Sequence, residues 1–175
     1  MGRYPVTVGE YAKFVEAGGP APLGWEEQRA WPYRPVGITW RDAARYCEWA
    51  EGAYECAGLR LPDSEEWEFA AAGEQGREYP WEKREPDDAR ANFDMRVGRV
   101  TPVGLFPGGN TPRGIADLAG NVGEWTASEE ESHPGWKVIR GGSSYVVARA
   151  LRAAYRSWYR PDSWVSKFGF RCVRE

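Results

Sequence analysis

Asp117 and Glu124 stand seven residues apart around a glycine-containing turn, Asp117-Leu118-Ala119-Gly120-Asn121-Val122-Gly123-Glu124-Trp125-Thr126. Two carboxylates, joined by carbonyls of the turn between them, form the hard-oxygen set that Ca²⁺ prefers. The same spacing also suits a solvated turn, or carboxylates that cap backbone N–H groups. Cys47, Cys56 and Cys172 offer softer chemistry, but their number is odd and no two stand in C-x-x-C spacing. Neither a zinc site nor a complete disulfide framework follows. Buried free thiols are expected at Cys47 and Cys172, with a Cys47 to Cys56 or a Cys56 to Cys172 bridge left open. His133, the single histidine, lies beside Pro134 and Gly135 and is expected in a loop.

A different kind of chemistry, recognition, is suggested near the end of the chain. Arg140-Gly141-Gly142-Ser143 and Gly169-Phe170-Arg171-Cys172 enclose Ser144, Tyr145, Val146, Val147, Arg149, Ser157, Trp158, Tyr159, Arg160, Ser163, Trp164, Val165, Ser166 and Lys167. These residues follow neither an alternating nor a 3.6-residue apolar pattern. Their types are those of antibody-like surfaces, where Tyr and Trp give contact area at low entropic cost and Ser and Arg give adaptable polar contacts. Adjacent Trp158 and Tyr159 cannot both be buried in one core from an extended strand. Tyr145, Trp158, Tyr159 and Trp164 are therefore expected to be at least partly exposed and to share a face. Trp25, Trp31, Trp40, Trp49, Trp67, Trp81 and Trp125 are expected in the core.

Composition narrows the choices. The 175 residues are enough for one domain with its own core, and 21 Gly and 13 Pro beside ten Trp, nine Tyr and six Phe indicate a loop-rich fold pinned by aromatic anchors. A net charge of -3 with no basic block argues against nucleic acid as a partner. No apolar run is long enough to cross a membrane, and residues 1–19 lack the pattern of a signal peptide, so a cytoplasmic monomer without membrane insertion is expected.

Three short helices must position these residues. Thr7 and Glu10 have capping-box spacing, Tyr11, Phe14 and Val15 then share a face, and Gly18-Gly19 closes the element. Thr39 caps a second helix with Ala43, Ala44 and Cys47 on one face and Gly52 as its stop. The third starts at Asp63 or Ser64, buries Trp67, Ala70 and Ala71, and stops at Gly73. Beyond it, only Val100 to Val103, Val138 to Arg140 and Phe170 to Val173 are candidate strands. The fold class expected is α+β, with a small twisted antiparallel sheet, short helices and long ordered loops.

Several blocks carry a family resemblance. Pro35-Val36-Gly37-Ile38-Thr39-Trp40, Arg60-Leu61-Pro62-Asp63-Ser64-Glu65-Glu66-Trp67, Tyr79-Pro80-Trp81, Thr101-Pro102-Val103-Gly104, Ala119-Gly120-Asn121-Val122-Gly123-Glu124-Trp125-Thr126, Arg140-Gly141-Gly142-Ser143 and Gly169-Phe170-Arg171-Cys172 occur in this order. Together they closely resemble the formylglycine-generating, sulfatase-modifying-factor family, a branch of the C-type lectin fold, over nearly the whole chain. The match starts late, near Tyr4-Pro5-Val6-Thr7, as expected for a domain cut from a longer polypeptide. The resemblance implies one calcium site at the Asp117 and Glu124 side chains with the Gly120 and Val122 carbonyls. It implies a second, weaker one at Asn92, the Phe93 carbonyl and Asp94. Active members hold copper through two cysteines five residues apart; aligned on Pro161-Asp162, these positions are Ala148 and Ala153. Alanine cannot replace the thiolate that binds Cu(I), so no copper is expected. Related ergothioneine-pathway enzymes bind iron through histidines of a second domain, whereas this chain has His133 alone.

The framed segment is similar to that of variable proteins of diversity-generating retroelements, which place a hypervariable stretch between an Arg-Gly-Gly-Ser block and a Gly-Phe-Arg block of this fold. Adenine-directed mutagenesis of Asn codons yields Ser, Tyr, Val, Ala and Arg, and of Arg codons Trp, the residues that fill the intervals here. The resemblance thus implies a noncatalytic module that displays a hypervariable surface to an unknown ligand, a protein surface in preference to a sugar. Its rivals are a copper oxidase or other modifying enzyme of the family, and a structural accessory domain of a larger signalling protein.

Overall fold

The computed structural model describes residues 1–82 and 84–174. Local capping chemistry sets the first helices. Thr7 and Glu10 form the reciprocal capping box of α1 (Val8–Glu16), and Asp63 with Glu66 forms that of α4 (Ser64–Ala72). Between them lie the single turn α2 (Trp25–Gln28) and α3 (Trp40–Ala53), where Thr39 accepts a bond from the Asp42 N–H. Gly52 does not stop α3, which runs on to Ala53, because Gly52 keeps a negative φ and does not take the left-handed conformation of a closing glycine. The helix α2 carries no apolar periodicity and gave no signal in the sequence.

The strands are longer and more mixed than the sequence indicates. A hairpin of β2 (Gly123–Glu130) and β3 (His133–Arg140) is flanked by β4 (Arg156–Tyr159) and β5 (Phe168–Gly169), in the order β4-β3-β2-β5. β5 pairs with β2 in parallel, the others antiparallel. A second two-stranded sheet joins β1 (Leu59–Arg60) to β6 (Val173–Arg174) near the chain's end. Val100 to Val103 forms no strand; the Thr101 N–H is taken by the Asn121 side chain and the Val103 N–H by the Tyr33 carbonyl. Phe170 to Val173 is divided, with only Val173 in a strand.

The main core lies between α1, α3 and the sheet. Tyr11 stacks on Tyr46 at 5.5 Å between centroids, Phe14 and Phe170 meet Tyr46 edge-on, and Trp125 closes the layer from β2. Smaller clusters form around stacked Tyr79 and Trp81 with Phe93 and Leu151, and around Trp67 with Leu118 and Ala153. Trp67, Trp81 and Trp125 are buried, and Trp25, Trp40 and Trp49 pack partly buried against the main core. Trp31 departs from expectation: it is 48% exposed and lies under the Arg34 guanidinium, 3.9 Å from its ring centroid.

Arg60 clamps Glu66 through two bonds of 2.7 and 2.8 Å, tying β1 to the start of α4. Chiefly through Arg60, and further through the Asp63 N–H, the Glu66 carboxyl is pulled down from 4.5 to about 2. A depressed carboxyl stabilises the fold above its unfolded pKa, and that contribution is lost as pH falls from 4.5 toward 2. Urea unfolding across that range should show wild type exceeding Arg60→Gln at pH 6 and converging with it near pH 2. A pH-independent gap would remove the pair from this role.

Candidate functional site

Backbone geometry fixes both ends of residues 144–167. Gly141 and Gly142 adopt φ of +84° and +71°, and a Cβ on Gly142 would stand 2.7 Å from the Ala150 carbonyl, so only glycine fits. Arg140 is buried, pairs with Glu68, and donates to the Ala154 and Tyr155 carbonyls at 3.3 Å, bracing the middle of the segment. Ser144 N–H donates to the Asn121 carbonyl, while the Ser144 and Val146 carbonyls accept from Met95 and Asp94. At the far end, Phe168 and Gly169 enter β5 beside Gly123 and Glu124.

Between these anchors the side chains divide. Tyr145, Val147 and Tyr159 are 41%, 50% and 39% exposed, and Arg149, Arg160 and Ser166 are exposed as well. Val146, Ser157, Trp158, Ser163, Trp164, Val165 and Lys167 are half-buried, Val165 against the main core. Ser144 is a correction: at 0% exposure it lies beneath the surface, held by its backbone bonds, and displays nothing. The single-face expectation is also corrected, because β4 is a regular strand and sends neighbours to opposite sides. Trp158 packs beside His133 at 5.6 Å, whereas Tyr159 meets Phe168 edge-on at 4.6 Å. Two patches result. One gathers Trp158, His133, Trp136 and Arg160, whose guanidinium lies over the Trp136 ring. The other lines a cleft of about 330 Å³ with Tyr145, Trp164, Ser166 and Lys167, joined from outside the segment by Trp31, Arg34 and Arg99. Sequence reasoning missed Trp136, Trp31, Arg34 and Arg99. For Trp31 and Trp136 a usable signal existed, since each is a lone tryptophan beside Pro or Gly in a polar stretch.

The first calcium set does not fit. Glu124 is buried, and its carboxylate accepts from Arg171 Nε and Nη2 at 2.7 and 2.6 Å and from Trp67 Nε1 at 2.7 Å. The place of a cation is thus filled by a guanidinium. Asp117 Oδ2 accepts from the Gly104 N–H at 2.6 Å, and burial raises the Asp117 carboxyl above its ordinary range. Gly120 and Val122 are buried beside them. The second set keeps one open oxygen: Asn92 Oδ1 is buried without a partner, next to the Phe93 carbonyl and the exposed Asp94. Among the described residues, no three His, Cys, Asp or Glu side chains converge as a metal cluster.

Ala148 is half-buried and Ala153 fully so, and neither carries a ligand atom. The cysteines that the fold brings together are Cys47 and Cys172, with sulfurs 3.3 Å apart, so the two bridges to Cys56 left open by the sequence are not the pair that meets. The hydrogen bond with Cys172, reinforced by burial, pushes the Cys47 thiol upward, toward its protonated form. No helix among the described residues is long and apolar enough to cross a membrane.

Residues 1–175 match the family model described as sulfatase-modifying factor enzyme 1-like domain. Hercynine oxygenase of Mycobacterium tuberculosis is 33% identical over 208 residues, covering 92% of this chain and 49% of that protein. Inactive C-alpha-formylglycine-generating enzyme 2 of Bos taurus is 36% identical over 185 residues, covering 94% and 56%. The chain spans about half the length of these curated relatives. Among solved structures, PvdO from Pseudomonas aeruginosa superposes with a TM-score of 0.84 at 24% identity, covering 99% of this chain and 78% of that one. Treponema denticola variable protein 1 superposes with a TM-score of 0.77 at 20% identity, covering 96% and 81%. At these identities the two structures speak for the fold, a mixed α+β domain of the C-type-lectin-like, formylglycine-generating subtype.

Removing one partner of a buried ion pair leaves the other uncompensated, at a cost of roughly 3–5 kcal/mol. Glu124→Gln should therefore lose stability of that order in urea unfolding. Calcium added to Asp117→Asn should change Tm by as much as it does in wild type. A calcium response abolished by Asp117→Asn alone would restore the Asp117 set as a metal site.

Proposed function

The chain belongs to the sulfatase-modifying factor family, and from that premise we propose that it is a noncatalytic binding module displaying a diversified surface on residues 144–167. The observation that carries this reading is the contrast along one segment. Its backbone is held at both ends by buried bonds, and at the first end also by Gly141 and Gly142 with their positive φ, while Tyr145, Val147, Arg149, Tyr159, Arg160 and Ser166 project from it. A surface of this kind can change its side chains without changing the core. The absence of side-chain thiols at Ala148 and Ala153 argues against family copper chemistry in this chain. The fold likeness to a Treponema denticola variable protein is consistent with the same reading. In this reading a structural calcium ion, where present, is held by Asn92 Oδ1, the Phe93 carbonyl and Asp94, and the ligand is a protein surface.

A second reading, an enzyme, is favoured by the 33% identity to hercynine oxygenase. Two measurements test the binding-module reading. Incubated with copper, oxygen and a cysteine-containing sulfatase peptide, the protein should give no aldehyde by mass spectrometry; turnover would overturn the noncatalytic assignment. In denaturant unfolding, Tyr145→Ser, Val147→Ser and Arg160→Ser should each stay within about 0.5 kcal/mol of wild type, as surface changes do, whereas Trp67→Ala should lose roughly 3–5 kcal/mol as a buried aromatic does. Losses of the larger size at the three segment positions would return them to a structural role.

A further inference from the structure

The cleft beside Tyr145 gathers positive charge. Arg34, Arg99 and Lys167 line it against one carboxylate, Glu27. Among the described residues none of the three cations forms an ion pair, although elsewhere most of this acidic chain's arginines reach a carboxylate, as Arg29, Arg41, Arg96, Arg140 and Arg171 do. Arg34 is held by its stacking on Trp31, and its Nε is buried without a hydrogen-bond partner. Burial, and then the neighbouring charge of Arg99, make the charged form of Arg34 harder to hold; burial does the same to Lys167. Cations that share one cleft without a carboxylate partner are what an incoming anion relieves.

The walls are fixed and aromatic. The Gln28 side-chain amide brackets Gly37, accepting from its N–H at 2.7 Å and donating to its carbonyl at 3.0 Å, and Trp164 Nε1 donates to the same carbonyl at 3.1 Å. Lys167 rests over the Tyr145 ring. The rim continues into exposed Tyr145 and Ser166, so a free small anion would leave the aromatic edge uncovered, whereas a side chain on a protein surface would cover both. We infer that this cleft is a socket for a carboxylate side chain, Glu or Asp, of a protein partner, with Arg34 and Arg99 as its binding pair and Lys167 beside them. Arg34 and Arg99 lie outside the framed segment, so the socket would supply a constant charge preference beneath a surface that varies. The inference rests on the binding-module reading of the same face.

The test is a titration of protein labelled with ¹⁵N-arginine, following the Nε–H signals of Arg34 and Arg99 at constant ionic strength. The probes are the blocked peptides acetyl-Ala-Glu-Ala-amide and acetyl-Ala-Gln-Ala-amide, and inorganic phosphate. The glutamate peptide should shift both signals saturably, and the glutamine peptide should bind at least about tenfold more weakly, as loss of a charge-assisted bond implies. Arg99→Gln, which changes an exposed side chain and leaves the Arg99 carbonyl in place for Asn92, should weaken the glutamate peptide by a similar factor. Equal binding of both peptides, phosphate binding tighter than the glutamate peptide, or binding unaffected by Arg99→Gln would each overturn the inference. None of these results alters the stability contrast between segment and core positions, so failure here is distinguishable from failure of the binding-module reading.

Discussion

Glu124 and Arg171 form a buried ion pair on which the rest of the structure depends. A carboxylate and a guanidinium withdrawn from water must repay their lost hydration through geometry, and a two-bond pairing with every remaining donor placed is how that is done. Glu124 takes Arg171 and Trp67; Arg171 gives its other protons to the carbonyls of Gly2, Arg3 and Ala116. Five parts of the chain therefore converge: the amino-terminal residues, α4, the loop before β2, β2 itself and the chain's end. With a loop-rich fold this knot does work that long helices do elsewhere, ordering backbone that has few regular hydrogen bonds of its own.

The framed segment is anchored at both ends beside that knot. Glu124 lies opposite Arg140 in the β2–β3 register and opposite Gly169 in β5, so the residues that open and close the segment sit on either side of one buried carboxylate. Asn121, three residues earlier and with a positive φ, completes the arrangement. Its side chain bonds both the N–H and the carbonyl of Thr101 and accepts from Asn92, while its own carbonyl receives Ser144. The backbone between these points is held from outside by Asp94, Met95, Asn121, Arg140 and Glu78 and from inside by short turns, and Tyr145, Val147, Arg149, Tyr159, Arg160 and Ser166 stand exposed on it. That separation of frame from contact surface is the physical basis for reading the domain as a display scaffold.

How much of this was legible in the sequence depended on range. Capping at Thr7, Thr39 and Asp63 was readable because donor and acceptor lie three residues apart. The hairpin was only half readable, since β2 buries Glu124 and Thr126 and so breaks the apolar alternation that marks a strand. For the same reason Asp117 and Glu124 resembled metal ligands: a carboxylate chosen for a guanidinium looks the same in sequence as one chosen for calcium, and the partner lies 47 positions away. Ser144 was misplaced because a segment's composition does not reveal which of its residues turns inward. The cleft was illegible altogether, as Arg34, Arg99 and Lys167 meet only once three separate loops have folded.

The separation between frame and surface can be measured in one experiment: saturation mutagenesis of the whole chain, displayed on cells and scored by protease resistance as a readout of folding. Tolerance should be broad at Tyr145, Val147, Arg149, Tyr159, Arg160 and Ser166, and nearly absent at Asn121, Glu124, Gly141, Gly142 and Arg171. If the two groups proved equally intolerant, residues 144–167 would be part of the core's own packing, and the claim that this fold carries an exchangeable binding surface would be contradicted.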